Sequence, residues 1–100
     1  MPRLNLNPSH RAEVKSILNQ QVPGIDVWAY GSRVNGRAHE MSDLDLVLRN
    51  QANPEKPVEH MASLKQAFKD SNLPILVDVM DWAYLPESYR EEILRCYVSF

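Results

Sequence analysis

Cysteine is nearly absent from this chain. Cys96 is the single one among 100 residues, so no intramolecular disulfide can form, a pattern that fits a reducing compartment. Cys96 lies in an apolar C-terminal stretch and reads as a small buried hydrophobe rather than a nucleophile. An excess of positive charge is also missing: 11 Lys and Arg stand against 13 Asp and Glu, for a net charge of -2. Following a nucleic-acid backbone needs a basic face, so no direct nucleic-acid binding is expected. A small anionic ligand needs only a few local cations and a metal ion, and that option stays open. No apolar run approaches the ~20 residues that span a bilayer. The opening Met-Pro-Arg-Leu-Asn-Leu-Asn-Pro lacks the continuous apolar core of a secretory leader. The expected location is the cytoplasm, away from membranes. There are no repeats or low-complexity stretches, and the length fits one domain over 1–100. Such a chain buries roughly two-thirds of its unfolded surface, enough for one modest core.

The chain is punctuated as an α/β protein. Asn7-Pro8 is a helix start, with Asn as N-cap and Pro at the first helical position. Ala12, Val14, Ile17, Leu18 and Val22 then recur at helical spacing until Pro23-Gly24 stops them. Ile25 to Tyr30 predicts a strand ending at Gly31, where Ser32 is expected to cap a short helical turn over Arg33 to Gly36. Arg37 to Ser42 is a polar loop. Asp43 to Leu48 alternates aspartates on one face with leucines on the other. The polar connection from Asn50 to Pro57 is expected to move. Val58, Met61, Leu64 and Phe68 predict a second helix from Pro57, with Asn72 as its C-cap. Ile75 to Met80 is almost wholly apolar, which predicts a strand that is central or covered on both faces. A last helix starts near Pro86-Glu87, and the tail from Cys96 to Phe100 is unusually apolar for a chain end. The fold class expected is a small mixed β-sheet flanked by helices.

The chemistry concentrates in residues 31–45. Gly31-Ser32 forms a turn that lets backbone N–H groups and a hydroxyl approach phosphate oxygens. Arg33 and Arg37 are placed to offset phosphate charge. After ten intervening residues, 33–42, comes Asp43-Leu44-Asp45. Side chains at i and i+2 of a strand point the same way, and two carboxylates ~4 Å apart repel by ~4 kcal/mol at an effective dielectric near 20. A bound divalent cation relieves that repulsion, and Mg²⁺ takes one or two carboxylates plus substrate phosphate oxygens. Asp78 interrupts the third strand, and a buried unpaired carboxylate needs a partner. It is the expected third acid, as metal ligand or as general base for an acceptor hydroxyl. Asp81 is the alternative for that role, though it reads more naturally as a strand-end cap. His39 lies between the halves of the motif and is read as a solvated loop residue. His10 and His60 fall in helical segments at no metal-ligand spacing. Ser32 has no His/Asp relay nearby, which argues against a hydrolase nucleophile.

Gly-Ser, ten residues, Asp-X-Asp and a later third acid resembles the signature of the nucleotidyltransferase superfamily related to DNA polymerase β. The local Gly-Ser-Arg-X-X-Gly, Ser-Asp-Leu-Asp-Leu and Val-Asp-Val-Met-Asp-Trp stretches are similar to its minimal nucleotidyltransferase branch. Asn35 stands where relatives often carry a basic residue or glutamine. The resemblance implies a palm-like fold and transfer of AMP from ATP. It implies that Gly31 and Ser32 hold the triphosphate, that Asp43 and Asp45 bind Mg²⁺, two ions being expected, and that Asp78 completes the site. It further implies an antitoxin whose substrate and complex partner is a HEPN ribonuclease toxin, silenced by AMP on a tyrosine, in a homo- or hetero-oligomer. The alternatives are a non-catalytic antitoxin that occludes the toxin, and a dimeric small-molecule nucleotidyltransferase. Shortness favours a partner-supplied acceptor, since little chain remains to build an acceptor pocket. Trp82, Tyr84, Tyr97 and the tail to Phe100 are candidates for an interface.

Overall fold

Asn7 and Pro8 begin helix α1 (Pro8–Gln21) as predicted, in a computed structural model that describes residues 3–38 and 41–100. The Asn7 side chain accepts the Ser9 N–H at 2.8 Å, satisfying a donor that the first turn otherwise leaves orphaned. Strand β1 (Asp26–Tyr30) follows, then a 3-10 turn over Gly31–Arg33 and strand β2 (Leu44–Arg49). Helix α2 (Met61–Lys69) carries the chain over to strand β3 (Val77–Asp81), parallel to β2. Such a parallel pair needs a crossover of this kind. A second 3-10 turn (Trp82–Tyr84), helix α3 (Glu87–Arg95) and strand β4 (Tyr97–Ser99) complete the chain. The sheet order is β3-β2-β1-β4, with β1 antiparallel to both of its neighbours. This is the mixed sheet flanked by helices that the sequence predicts.

The alternation in β2 divides the molecule. Leu44, Leu46 and Leu48 are fully buried against α1 and α2, where Val14, Leu18, Leu64 and Phe68 meet them. Replacing Leu46 with alanine leaves a cavity that neighbours close only partly, so urea unfolding should show a loss of about 2–5 kcal/mol. A loss below ~1 kcal/mol would mean that this face is not the principal core. On the opposite face Trp28, Tyr30 and Val47 pack under Trp82, Leu85 and Ile93. Trp28 stacks on Tyr97 at 4.1 Å and meets Trp82 edge-on at 5.5 Å. Arg49 lies 4.5 Å over Trp28 and pairs with Asp26 at 3.2 Å. Exposure on this face rises toward the β3 side, where Asp45 is half-buried and Asp78 exposed.

Several expectations change. β3 is an edge strand, not a central one: its apolar run is shielded by α2 on one face, while Leu76 just before it is exposed. The apolar tail is a fourth strand on β1, so Tyr97 and Val98 belong to the packing rather than to a free surface. Trp82 is buried as well, and of the three aromatics proposed for an interface only Tyr84 stays exposed. α2 starts at Met61, because Val58 is held earlier by a bond from its N–H to Asp81. That helix ends at Asp70, short of Asn72. The turn after β1 opens at Gly31 itself with no side-chain cap, so Ser32 lies within it. In the 50–57 connection Glu55 is ion-paired by Arg90, which also donates two hydrogen bonds to the Trp82 carbonyl. The Arg90 guanidinium holds the Glu55 carboxyl below its usual range. His39 lies outside the described residues.

Candidate active site

Strand register assembles the site. Tyr30 faces Asp45 across the β1–β2 pair, and Asp45 faces Asp78 across the β2–β3 pair. Tyr97 faces Tyr30 from β4. One row, Asp78–Asp45–Tyr30–Tyr97, therefore runs across the whole sheet on the half-open face, with strands about 4.8 Å apart. Asp43 immediately precedes β2 and shares the parity of Asp45, which puts it at the same end of that face.

Gly31 brings the phosphate turn onto this row. Its φ is +81°, a left-handed conformation that side chains resist. A Cβ built on it would collide with Asp45 Oδ2 and lie 3.4 Å from Asp45 Cγ. The turn and the carboxylate are thus in direct contact, fourteen positions apart in sequence, and only a glycine permits it. Ser32 follows on the turn, half-buried.

Arg33 has a different task from the one expected. It is buried, and its Nε donates to the Ser42 carbonyl at 2.9 Å while Nη1 donates to the Asn5 carbonyl at 2.9 Å. It ties the glycine turn to the residue just before Asp43, and so positions both halves of the motif rather than facing a phosphate. Arg37 is exposed on the following turn, with its N–H on Asn35 Oδ1.

The acids separate by environment. Asp45 is half-buried, and burial first, then the charges of Asp78 and Asp43, push its carboxyl above the usual range. Asp78, expected inside the sheet, is exposed on the edge strand. Asp81 is the buried acid of β3: it accepts the Val58 N–H at 2.9 Å and the Ala83 N–H at 3.1 Å. It caps the 3-10 turn, as its strand-end position predicts. Asp81→Ala should cost about 1–3 kcal/mol by orphaning buried N–H groups, with kcat for transfer held within threefold. A hundredfold fall in kcat would instead make it the third acid.

Tyr30 and Tyr89 were not legible as site residues. Their hydroxyls meet at 3.3 Å. Burial above all, then Tyr89 and the charges of Asp45 and Asp78, hold the Tyr30 phenol in its protonated form. The only signal for Tyr30 was its place directly before Gly31. Beside Gly31 a cleft of about 390 Å³ opens between Tyr30, Tyr89, Asn35 and Arg95. A larger groove of about 600 Å³ lies at the far end of the sheet, near Ile25, Asn50 and His60, away from the acids.

Any group held at the Gly31 turn would lie against Asp45. Among the described residues no three His, Cys, Asp or Glu side chains converge into a ready metal cage, so the compact three-carboxylate centre expected of Asp43, Asp45 and Asp78 is not drawn together here. Like charges converge only around a cation. The donor set nevertheless fits a hard divalent ion: oxygen ligands, one of them destabilised as an anion by burial and then by two neighbouring charges. Mg²⁺ characteristically takes one or two carboxylates and completes its shell with water and phosphate oxygens.

A glycine turn pressed on a strand carboxylate in a small mixed sheet is the arrangement that the resemblance to nucleotidyltransferases implies. A family model described as nucleotidyltransferase domain matches residues 11–99, and the chain belongs to that family. A Haemophilus influenzae protein named probable protein adenylyltransferase MntA is 45% identical to it over 98 residues, 96% of this chain and 82% of that protein. The chain is a nucleotidyltransferase of this minimal type. No helix among the described residues is long and apolar enough to cross a membrane.

Proposed function

We propose that this enzyme moves AMP from ATP onto a hydroxyl of a partner protein, a tyrosine of a HEPN-type ribonuclease toxin, and thereby acts as its antitoxin. The observation that carries the reading is the contact between the Gly31 turn and Asp45, with Asp78 beside it at the rim of the sheet. It sets a triphosphate against acids that face outward rather than into a walled acceptor chamber. The name of the Haemophilus relative, a protein adenylyltransferase, supports the same acceptor class.

The turn N–H groups and the Ser32 hydroxyl hold β- and γ-phosphate oxygens, with Arg37 nearby on the exposed turn. Asp43, Asp45 and Asp78 would hold Mg²⁺, which supplies charge that stabilises the attacked α-phosphate and the departing pyrophosphate. Asp78 accepts the proton of the acceptor hydroxyl. Its oxygen bonds to the α-phosphorus, the bond to the α–β bridging oxygen breaks, and pyrophosphate leaves with that electron pair.

Incubation with a HEPN-type partner and ATP labelled at the α-phosphorus should label the partner, whose mass rises by ~329 Da per AMP. ATP labelled at the γ-position should leave it unlabelled. Label that passes only to an added small alcohol would favour the small-molecule reading. A partner neutralised equally well by Asp45→Asn would favour occlusion.

A further inference from the structure

We infer that the free edge of β3 is the docking rail for the acceptor: an extended segment of the partner protein adds to the sheet beside Val77–Asp81 and so delivers its hydroxyl to Asp78. This rests on the protein-modifying function proposed above. β3 ends the sheet, and among the described residues nothing pairs with its outer side. The Leu76 carbonyl faces β2, where it accepts the Leu44 N–H at 2.9 Å. Alternation along the strand then turns the N–H and C=O groups of Val77 and Val79 outward. Natural sheets block such edges with lysine or proline, and Val77–Asp81 contains neither.

The acid row leaves one direction of approach. Toward β4 it ends in Tyr30 and Tyr97, packed under α3 and against Trp28. Toward the β3 edge it ends in the exposed Asp78. A strand added there lengthens the row by one place. The side chain directly opposite Asp78 has its Cβ ~4.5–5.5 Å away on the same face, and a long side chain carries its hydroxyl on toward Asp45.

The other side of the added strand identifies the occupant's chemistry. Residues flanking the acceptor point to the α2 side, where a groove of about 410 Å³ runs along the edge. Its walls include Phe68, Leu76 and Val79 with Lys65 and Lys69. Apolar floor with two ammonium groups suits a peptide whose hydroxyl residue is flanked by apolar and acidic side chains. Main-chain pairing supplies affinity and the groove supplies selection.

Hydrogen exchange of the chain with and without a bound HEPN-type partner reads the edge directly. The Val77 and Val79 amides should exchange at least tenfold more slowly in the complex. The double variant Lys65→Glu/Lys69→Glu, on an exposed helix face, should raise KM for the partner at least tenfold while KM for ATP and kcat stay unchanged. Normal labelling of the partner, with unaltered β3 exchange and an unaltered KM in the double variant, overturns the docking rail and leaves the protein-modifying function standing. No labelling by the wild-type chain overturns that function and the rail with it. Protection of these amides that grows with protein concentration in the absence of partner assigns the edge to a second copy of this chain and likewise overturns the inference.

Discussion

Gly31→Ala should abolish nucleotidyl transfer while the protein remains folded. Two costs coincide at this position. A left-handed conformation costs an alanine roughly 1–2 kcal/mol, which a folded domain tolerates. The new methyl group also occupies the place of Asp45 Oδ2, and that is the larger functional effect. The turn must retreat or the Asp45 carboxylate must rotate away, and either motion separates the N–H groups proposed to hold phosphate from the acid. Displacement of a reacting group by ~1 Å lowers rates by about 10², so a fall of at least that size is expected in label transfer from α-labelled ATP. A thermal scan run alongside should show a small loss of stability. Transfer retained above a tenth of the wild-type rate would mean that the turn and Asp45 do not act together.

Asp45→Asn should stop transfer and yet make the free protein more stable at neutral pH. The folded state holds the Asp45 carboxyl above its usual range, through burial and the charges of Asp78 and Asp43. A raised carboxyl contributes stability that is fully present below its unfolded value, 3.8, and is lost as pH rises through the folded value. At pH 7 the wild type therefore carries an unfavourable charge that the asparagine variant lacks. The variant should melt higher at pH 7, and the difference should vanish near pH 3. Mg²⁺ should reverse the order: an ion that binds only the folded state stabilises it by ~2.7 kcal/mol at a hundred times Kd, and the variant loses a ligand. Equal melting temperatures at pH 7, with no response of the wild type to Mg²⁺, would remove Asp45 from the cation site.

The contrast between Asp78 and Asp81 shows where sequence reasoning reaches its limit. Asp78 lies in a stretch that reads as a buried strand and Asp81 just past its end, and burial was the reason for Asp78 to need a partner. The sheet order makes β3 an edge and turns Asp78 outward. Parallel register with β2 places it against Asp45, and its role as third acid remains the proposal made above. Arg33 shows the converse. An arginine after a phosphate turn reads as a phosphate ligand, but its Nε and Nη1 donate to carbonyls of residues 9 and 28 positions away in sequence. The tail, read as a candidate interface, found its apolar partners on β1 instead.

Local information was therefore sufficient for the starts of α1 and α3 and for the alternation that sorts Leu44, Leu46 and Leu48 from Asp43 and Asp45. Those features depend on backbone preference and side-chain parity, which act within a few residues. The position of β3 at the edge, the collision distance between Gly31 and Asp45, the clamp made by Arg33 and the Tyr30–Tyr89 pair were decided by the tertiary structure alone. Each depends on which strands become neighbours and in what register, and register is set by burial of the whole apolar face at once.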